Sequence, residues 1–123
     1  LEHWDSPVQT LSYGTRRKLC LAGALLDEPR LLLLDEPFAG LDYPGIREMR
    51  GILRDNRGQG LTQVLSTHDL DPVADLADLL LVLERGRLVL CGAPAEVLPG
   101  LRGLGVRPPC SWLAGRGLEY PDA

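Results

Sequence analysis

The feature that most constrains this chain is the run Leu31-Leu32-Leu33-Leu34-Asp35-Glu36-Pro37. Four consecutive aliphatic residues predict a strand buried on both faces, the kind found inside a parallel sheet. Pro37 has no N–H to give to a ladder, so the strand ends there. Two carboxylates, Asp35 and Glu36, therefore stand at the carboxyl end of a buried parallel strand, where open α/β sheets place their ligands. Taken alone, the heptapeptide also reads as a strand capped by solvated charges. Its meaning depends on its neighbours.

Those neighbours predict alternating helices and strands. Ser12 suits the N-cap of a helix with Leu19, Ala22, Leu25 and Leu26 on one face and Arg16, Arg17 and Lys18 on the solvated side. That helix ends near Asp27-Glu28-Pro29, because a residue before proline is pushed out of helical geometry. Ala39-Gly40-Leu41-Asp42 reads as a loop. Pro44 then opens a second helix with Ile46, Met49, Ile52 and Leu53 on one face, which runs to about Asn56 before Gly58 and Gly60 break it. A second strand over 61–66 leads into Thr67-His68-Asp69. A short helix over 71–76 and a third buried strand over 79–83 follow. The turn Glu84-Arg85-Gly86-Arg87 joins that strand to Leu88–Cys91 as an antiparallel hairpin. Pro94 opens a last short helix through Leu98, and Ser6-Pro7 favours a turn or an extended entry. The fold class is α/β, with helices flanking a mainly parallel sheet. Residues 1–98 form the structured part and 99–123 a Pro/Gly-rich tail.

Composition removes several function classes. A chain of 123 residues makes at most one domain. The net charge is −4 and no basic block exceeds Arg16-Arg17-Lys18, so the footprint of a nucleic-acid binder is missing. Every apolar run is far shorter than the roughly 18 residues that span a bilayer. Leu1-Glu2-His3-Trp4-Asp5 has neither the basic start nor the apolar core of a signal peptide. Cys20, Cys91 and Cys110 are odd in number and lack C-x-x-C spacing, which predicts reduced, largely structural thiols rather than a zinc site or disulfides.

Four segments together resemble the C-terminal half of an ATP-binding-cassette (ABC) ATPase. Leu11-Ser12-Tyr13-Gly14-Thr15 is similar to the family signature LSGGQ, and Leu31–Asp35 with Glu36 to the Walker B strand and its adjacent carboxylate. Ala39-Gly40-Leu41-Asp42 resembles the D-loop, and Ser66-Thr67-His68-Asp69 the switch-histidine segment. The resemblance covers about residues 11–98. It implies a partial P-loop NTPase (RecA-like) layer, with Asp35 holding Mg²⁺ and Glu36 orienting or deprotonating the attacking water. His68 would hydrogen-bond the γ-phosphate. Ser12, Tyr13, Gly14 and Thr15 would close over ATP held by a second ATPase subunit in a head-to-tail dimer, using the anion-friendly start of a helix. Asp42 would support that contact across the dimer; it reads equally well as an ordinary N-cap for the helix at Pro44.

Two departures qualify the match. Tyr13 replaces the usual glycine and Thr15 the usual glutamine, and Tyr13 does not allow the same close backbone approach. No G-x-x-x-x-G-K-[ST] occurs, so the phosphate-cradling Walker A loop is absent and this chain alone is not expected to bind or hydrolyse nucleotide tightly. In the family fold the Walker A strand lies between the strand ending at His68 and the strand 79–83. Its absence predicts unpaired edges, and hence self-association or strand exchange. The ending Gly92-Ala93-Pro94-Ala95-Glu96-Val97-Leu98 and the run Leu104–Pro109 are similar to energy-coupling-factor and cobalt-type importer ATPases. That likeness implies a transmembrane permease partner, metal or vitamin uptake, and a cytoplasmic location against the membrane. Two alternatives stay open: a non-catalytic module that keeps the dimer surface, and the head of a DNA-repair-type ABC ATPase.

Overall fold

Ser12 and Asp42 begin the two long helices. In the computed structural model, which describes residues 7–118 and 120–121, α1 spans Tyr13–Leu25 and α2 spans Tyr43–Gly58. The Ser12 Oγ accepts the Thr15 N–H at 3.2 Å, and the Asp42 Oδ1 accepts the Gly45 N–H at 3.0 Å. Each cap satisfies one of the donors that a helix start leaves without an intrahelical partner. Pro44 lies in the first turn of α2, where its missing N–H costs nothing. The expectations placed on Leu1–Ser6, the missing leader and the turn at Ser6, lie outside the described residues.

The chain divides into two units, one up to Leu65 and one from Ser66. In the first, β1 (Leu31–Asp35) lies beside β2 (Thr62–Ser66) as a parallel pair joined through α2. Leu21, Leu32, Phe38, Met49 and Leu53 form its buried apolar set. The inward face of α2 is the one its period predicts. Gln63 ties that helix to β2 by donating to the Leu53 carbonyl at 2.8 Å and accepting from the Asn56 amide at 3.3 Å.

Two expectations change here. β1 is covered on one face only: Leu32 is 5% exposed, whereas Leu33 is 69% exposed. The burial alternates with the pleat, as in a sheet with one solvated face, because no second layer lies over Leu31 and Leu33 among the described residues. The inward stripe of α1 also differs. Leu21 is buried, while Leu19 and Leu26 are exposed. Gly14, Arg17, Leu21 and Leu25 make the covered row, since residues three and four apart share the face that buries Leu21, and from that row Arg17 reaches a carbonyl beyond β1.

In the second unit β3 (Leu80–Glu84) and β4 (Arg87–Gly92) pair as the predicted antiparallel hairpin, with Val82 opposite Leu90 and Glu84 opposite Arg87. Arg85 and Gly86 form its two-residue loop with φ of +50° and +76°, the double left-handed turn that matches strand twist. Leu80 and Val82 are buried but Leu79, Leu81 and Leu83 are exposed, so this strand too is one-sided rather than fully buried. The helix expected over 71–76 is instead a series of turns. Val73 and Ala74 both donate to the Leu70 carbonyl, and Leu76 and Ala77 both donate to that of Val73, so consecutive turns share acceptors instead of extending one regular ladder. α3 (Pro94–Val97) runs into a 3₁₀ turn at Leu98–Gly100, and α4 spans Cys110–Leu113. Val73, Ala74, Val97, Leu98 and Leu101 join Leu80 and Val82 in the core of this unit.

Among the described residues the strands pair as two two-stranded sheets, β1–β2 and β3–β4.

Candidate functional site

Asp35 is the last residue of β1 and is exposed; Glu36 follows it, half-buried. The chain then turns sharply, with the Ala39 N–H donating to the Glu36 carbonyl at 3.1 Å. Glu36 takes a φ of +44°. Such a left-handed backbone at a non-glycine residue costs on the order of 1–3 kcal/mol and persists where the surroundings over-determine it. Pro37 and Phe38, both buried, are the surroundings immediately beyond.

Among the described residues, no group of three or more His, Cys, Asp or Glu side chains could cage a metal. The donor set at the β1 tip is one strand-end carboxylate with a second beside it. That set fits Mg²⁺, which keeps several waters and takes phosphate oxygens alongside one or two carboxylates. It does not fit zinc or an all-protein calcium cage.

The start of α1 and the loop after β1 are held together by side chains. The Arg17 Nη1 donates to the Ala39 carbonyl at 2.8 Å, while its guanidinium carbon lies 5.1 Å from the centre of the Tyr13 ring. The ring also abuts Gly40, where an added Cβ would lie only 3.2 Å from Tyr13 Cε1 and the backbone φ is +71°. Gly14 faces Leu41 in the same loop, with ordinary contact distance available at 3.8 Å. Ser12 and Thr15 share a hydroxyl–hydroxyl bond of 2.8 Å. Thus Ser12–Thr15 and Ala39–Asp42 are brought together, and the carboxylate of Asp42 is engaged as the cap of α2. Lys18 and Glu48 add an exposed ion pair between α1 and α2.

His68 belongs to the second unit and is exposed. Its carbonyl accepts the Arg107 N–H at 3.1 Å, and the Leu70 N–H donates to the Arg107 carbonyl at 3.2 Å. This is a one-residue parallel bridge between Asp69 and Arg107. Thr67 Oγ1 closes the loop locally by accepting the Asp69 N–H at 3.2 Å. Asp69 Oδ1 accepts the Asp71 N–H at 3.1 Å, and Asp71 Oδ1 accepts the Cys110 N–H at 2.7 Å. The Arg107 guanidinium is held above its ordinary pKa, first by its hydrogen bond to the Cys110 sulfur and then by the carboxylates of Asp69 and Asp71. It stays charged at every accessible pH.

Cys20, Cys91 and Cys110 are unpaired with one another, as expected, but all three are exposed rather than packed in a core. The sequence reading missed Arg17, Asp71 and Arg107. Tyr13 and Arg17 carry a usable signal, since residues four apart share a helix face. The bridge to Arg107 has none, because its partner lies far along the chain.

Comparison with known proteins gives the family of the chain. A family profile described as "AAA domain, putative AbiEii toxin, Type IV TA system" matches residues 6–72, more than half of the 123. The cobalt import ATP-binding protein CbiO of Rhodobacter capsulatus is 43% identical over 108 residues, covering 85% of this chain and 39% of that protein. The energy-coupling factor transporter ATP-binding protein EcfA3 of Clostridium perfringens is 40% identical over 99 residues, covering 79% of this chain and 35% of that protein. The solved structure of CbiO1 from Clostridium perfringens, described as part of the ABC transporter complex CbiONQ, superposes with a TM-score of 0.67 at 40% identity. It covers 77% of this chain and 38% of that one. The chain therefore spans less than two-fifths of the length of these relatives. It belongs to the AAA-domain family and, over most of its length, is homologous to ABC transporter ATP-binding subunits of the cobalt-import and energy-coupling-factor type.

Proposed function

We propose that this chain supplies the catalytic-carboxylate half of an ABC importer ATPase that couples ATP hydrolysis to uptake of cobalt or another metal or vitamin. The observation that carries the reading is the pair Asp35 and Glu36 at the tip of β1, in a chain of this family. Phosphoryl transfer needs charge neutralisation and positioning more than covalent help. Mg²⁺ held by Asp35 would supply positive charge against the transferred phosphoryl group. Glu36 accepts a proton from the attacking water, or orients it. His68 donates a hydrogen bond to an oxygen of the transferred group. Ser12 and the Tyr13–Thr15 turn offer a helix start to the phosphates of ATP bound on a second ATPase subunit. Asp42 stands beside that contact. The partners are that second subunit, head to tail, and a membrane permease, which places the protein on the cytoplasmic face. Among the described residues no helix is long and apolar enough to cross a membrane.

A hybrid tests the reading. The N-terminal part of the Clostridium perfringens relative, up to the start of its match, is joined to this chain and ATP hydrolysis is measured. Turnover that falls with Glu36→Gln supports the proposal. A folded hybrid without turnover, or micromolar ATP binding by the 123-residue chain alone, overturns it.

A further inference from the structure

The tail beyond residue 99 announces no structure in the sequence, yet one stretch of it is main-chain bonded to the loop that carries His68. The bonding is two-way: Arg107 donates to the carbonyl of His68 at 3.1 Å and accepts from Leu70 at 3.2 Å. A residue bonded on both sides of Asp69 fixes the path of the loop at that residue, in the way one rung of a parallel ladder does. The rung is isolated, with no neighbouring rung to hold its register. Something outside the backbone must pin it.

Asp71 is the side chain placed to do so. Its Oδ1 accepts the Cys110 N–H at 2.7 Å across a separation of 39 positions, while its own N–H is held by Asp69 Oδ1 at 3.1 Å. The three bonds from Arg107 and Cys110 enclose the loop from His68 to Asp71. Pro108 and Pro109 stiffen the span between the two tail anchors, since each fixes its own φ. Arg107 then closes the other side through its contact with the Cys110 sulfur at 3.5 Å.

We propose that Asp71 is a positioning residue which clasps the Arg107–Cys110 segment to the His68–Leu70 loop, so that the tail sets where the His68 imidazole stands. The inference rests on the ATPase reading for what His68 does, but not for whether the clasp exists. Asp71 touches no reacting atom. It acts through the backbone that carries the histidine.

The test uses the 123-residue chain in solution by NMR, with His3→Gln present throughout so that the one remaining imidazole signal is that of His68. Hydrogen exchange is followed at the Arg107 and Leu70 amides, and at the β3–β4 hairpin as a fold control. Asp71→Ala is expected to speed exchange at both amides by about tenfold or more and to move the His68 imidazole resonance, with the hairpin unchanged. Asp71→Asn keeps an acceptor oxygen for the Cys110 amide and is expected to restore both readings. Arg107→Pro removes the N–H given to His68 and is expected to move the imidazole resonance in the same sense. An unmoved His68 signal in Asp71→Ala and Arg107→Pro overturns the proposal. So does loss of hairpin protection in both, since the clasp is confined to the loop. No nucleotide enters these readings, so a failed hybrid ATPase would leave them standing, and a failed clasp would leave the ATPase reading untouched.

Discussion

The guanidinium of Arg17 joins two segments at once, donating to the carbonyl of Ala39 while covering the ring of Tyr13. Tyr13 stands in the segment that resembles the family signature, at its glycine position, and the contact shows how the larger residue is housed. Its ring lies against Gly40, the loop residue with no side chain to obstruct it. Arg17→Ala should lower stability by about 1 kcal/mol, the scale of an exposed cation–π contact together with one charge-assisted hydrogen bond. Tyr13→Phe should cost less than half of that, because the ring face is retained. Chemical denaturation of the chain measures both, and an Arg17→Ala variant as stable as the parent would show that the bridge holds nothing.

Asp42 is engaged at the start of α2. Asp42→Ala should therefore cost about 1 kcal/mol, typical for loss of an N-cap, while Asp42→Asn or Asp42→Ser should cost little. In the hybrid ATPase, a fall in turnover with Asp42→Asn at unchanged stability would point to a second duty beyond capping.

Glu36 separates stability from chemistry. Its left-handed backbone predicts that Glu36→Gly raises stability by up to about 1 kcal/mol, less the extra freedom glycine brings to the unfolded chain. Glu36→Gln keeps the backbone cost. In the hybrid both variants should lower turnover by on the order of 10² or more while ATP binding survives. A variant that stabilises and still turns over would remove Glu36 from the base role.

Leu31, Leu33 and Val64 are exposed on β1 and β2, and Leu79, Leu81 and Leu83 on and beside β3. Apolar strands with an open edge invite pairing between copies. The chain alone should therefore self-associate at micromolar concentration in analytical ultracentrifugation, and Leu33→Lys with Leu81→Lys should shift it toward monomer. A monodisperse parent would sink this expectation.

Much of the fold was legible because its signals are local. Ser12 and Asp42 announce the helix starts, Met49 and Leu53 the inward face of α2, and Arg85-Gly86 the hairpin. Burial was less legible. Leucine runs at 31–34 and 79–83 match strands covered on both faces, but they do not say whether covering layers are present in the same chain. The inward face of α1 was misread for a related reason: Leu19 and Leu26 are apolar, yet the covered row is the one through Leu21. Among the candidate residues, Asp35 and Glu36 stand out through their strand, and His68 through the segment around it. Asp71 and Arg107 stayed hidden because their bonds join residues with no periodic relation, and Arg50, only 1% exposed, is a buried charge in a helix whose pattern suggests an outward one.

The bridge between Asp69 and Arg107 has a consequence for how the protein is made. During synthesis the His68 loop emerges well before the segment that binds it, and closing so long a span carries an entropic cost that local turns do not. Formation of the β3–β4 hairpin requires only neighbours and proceeds on the microsecond scale. Docking of Arg107 waits for the ribosome to deliver that segment, so the histidine-bearing loop reaches its final shape only after the hairpin that follows it in the chain can already have formed.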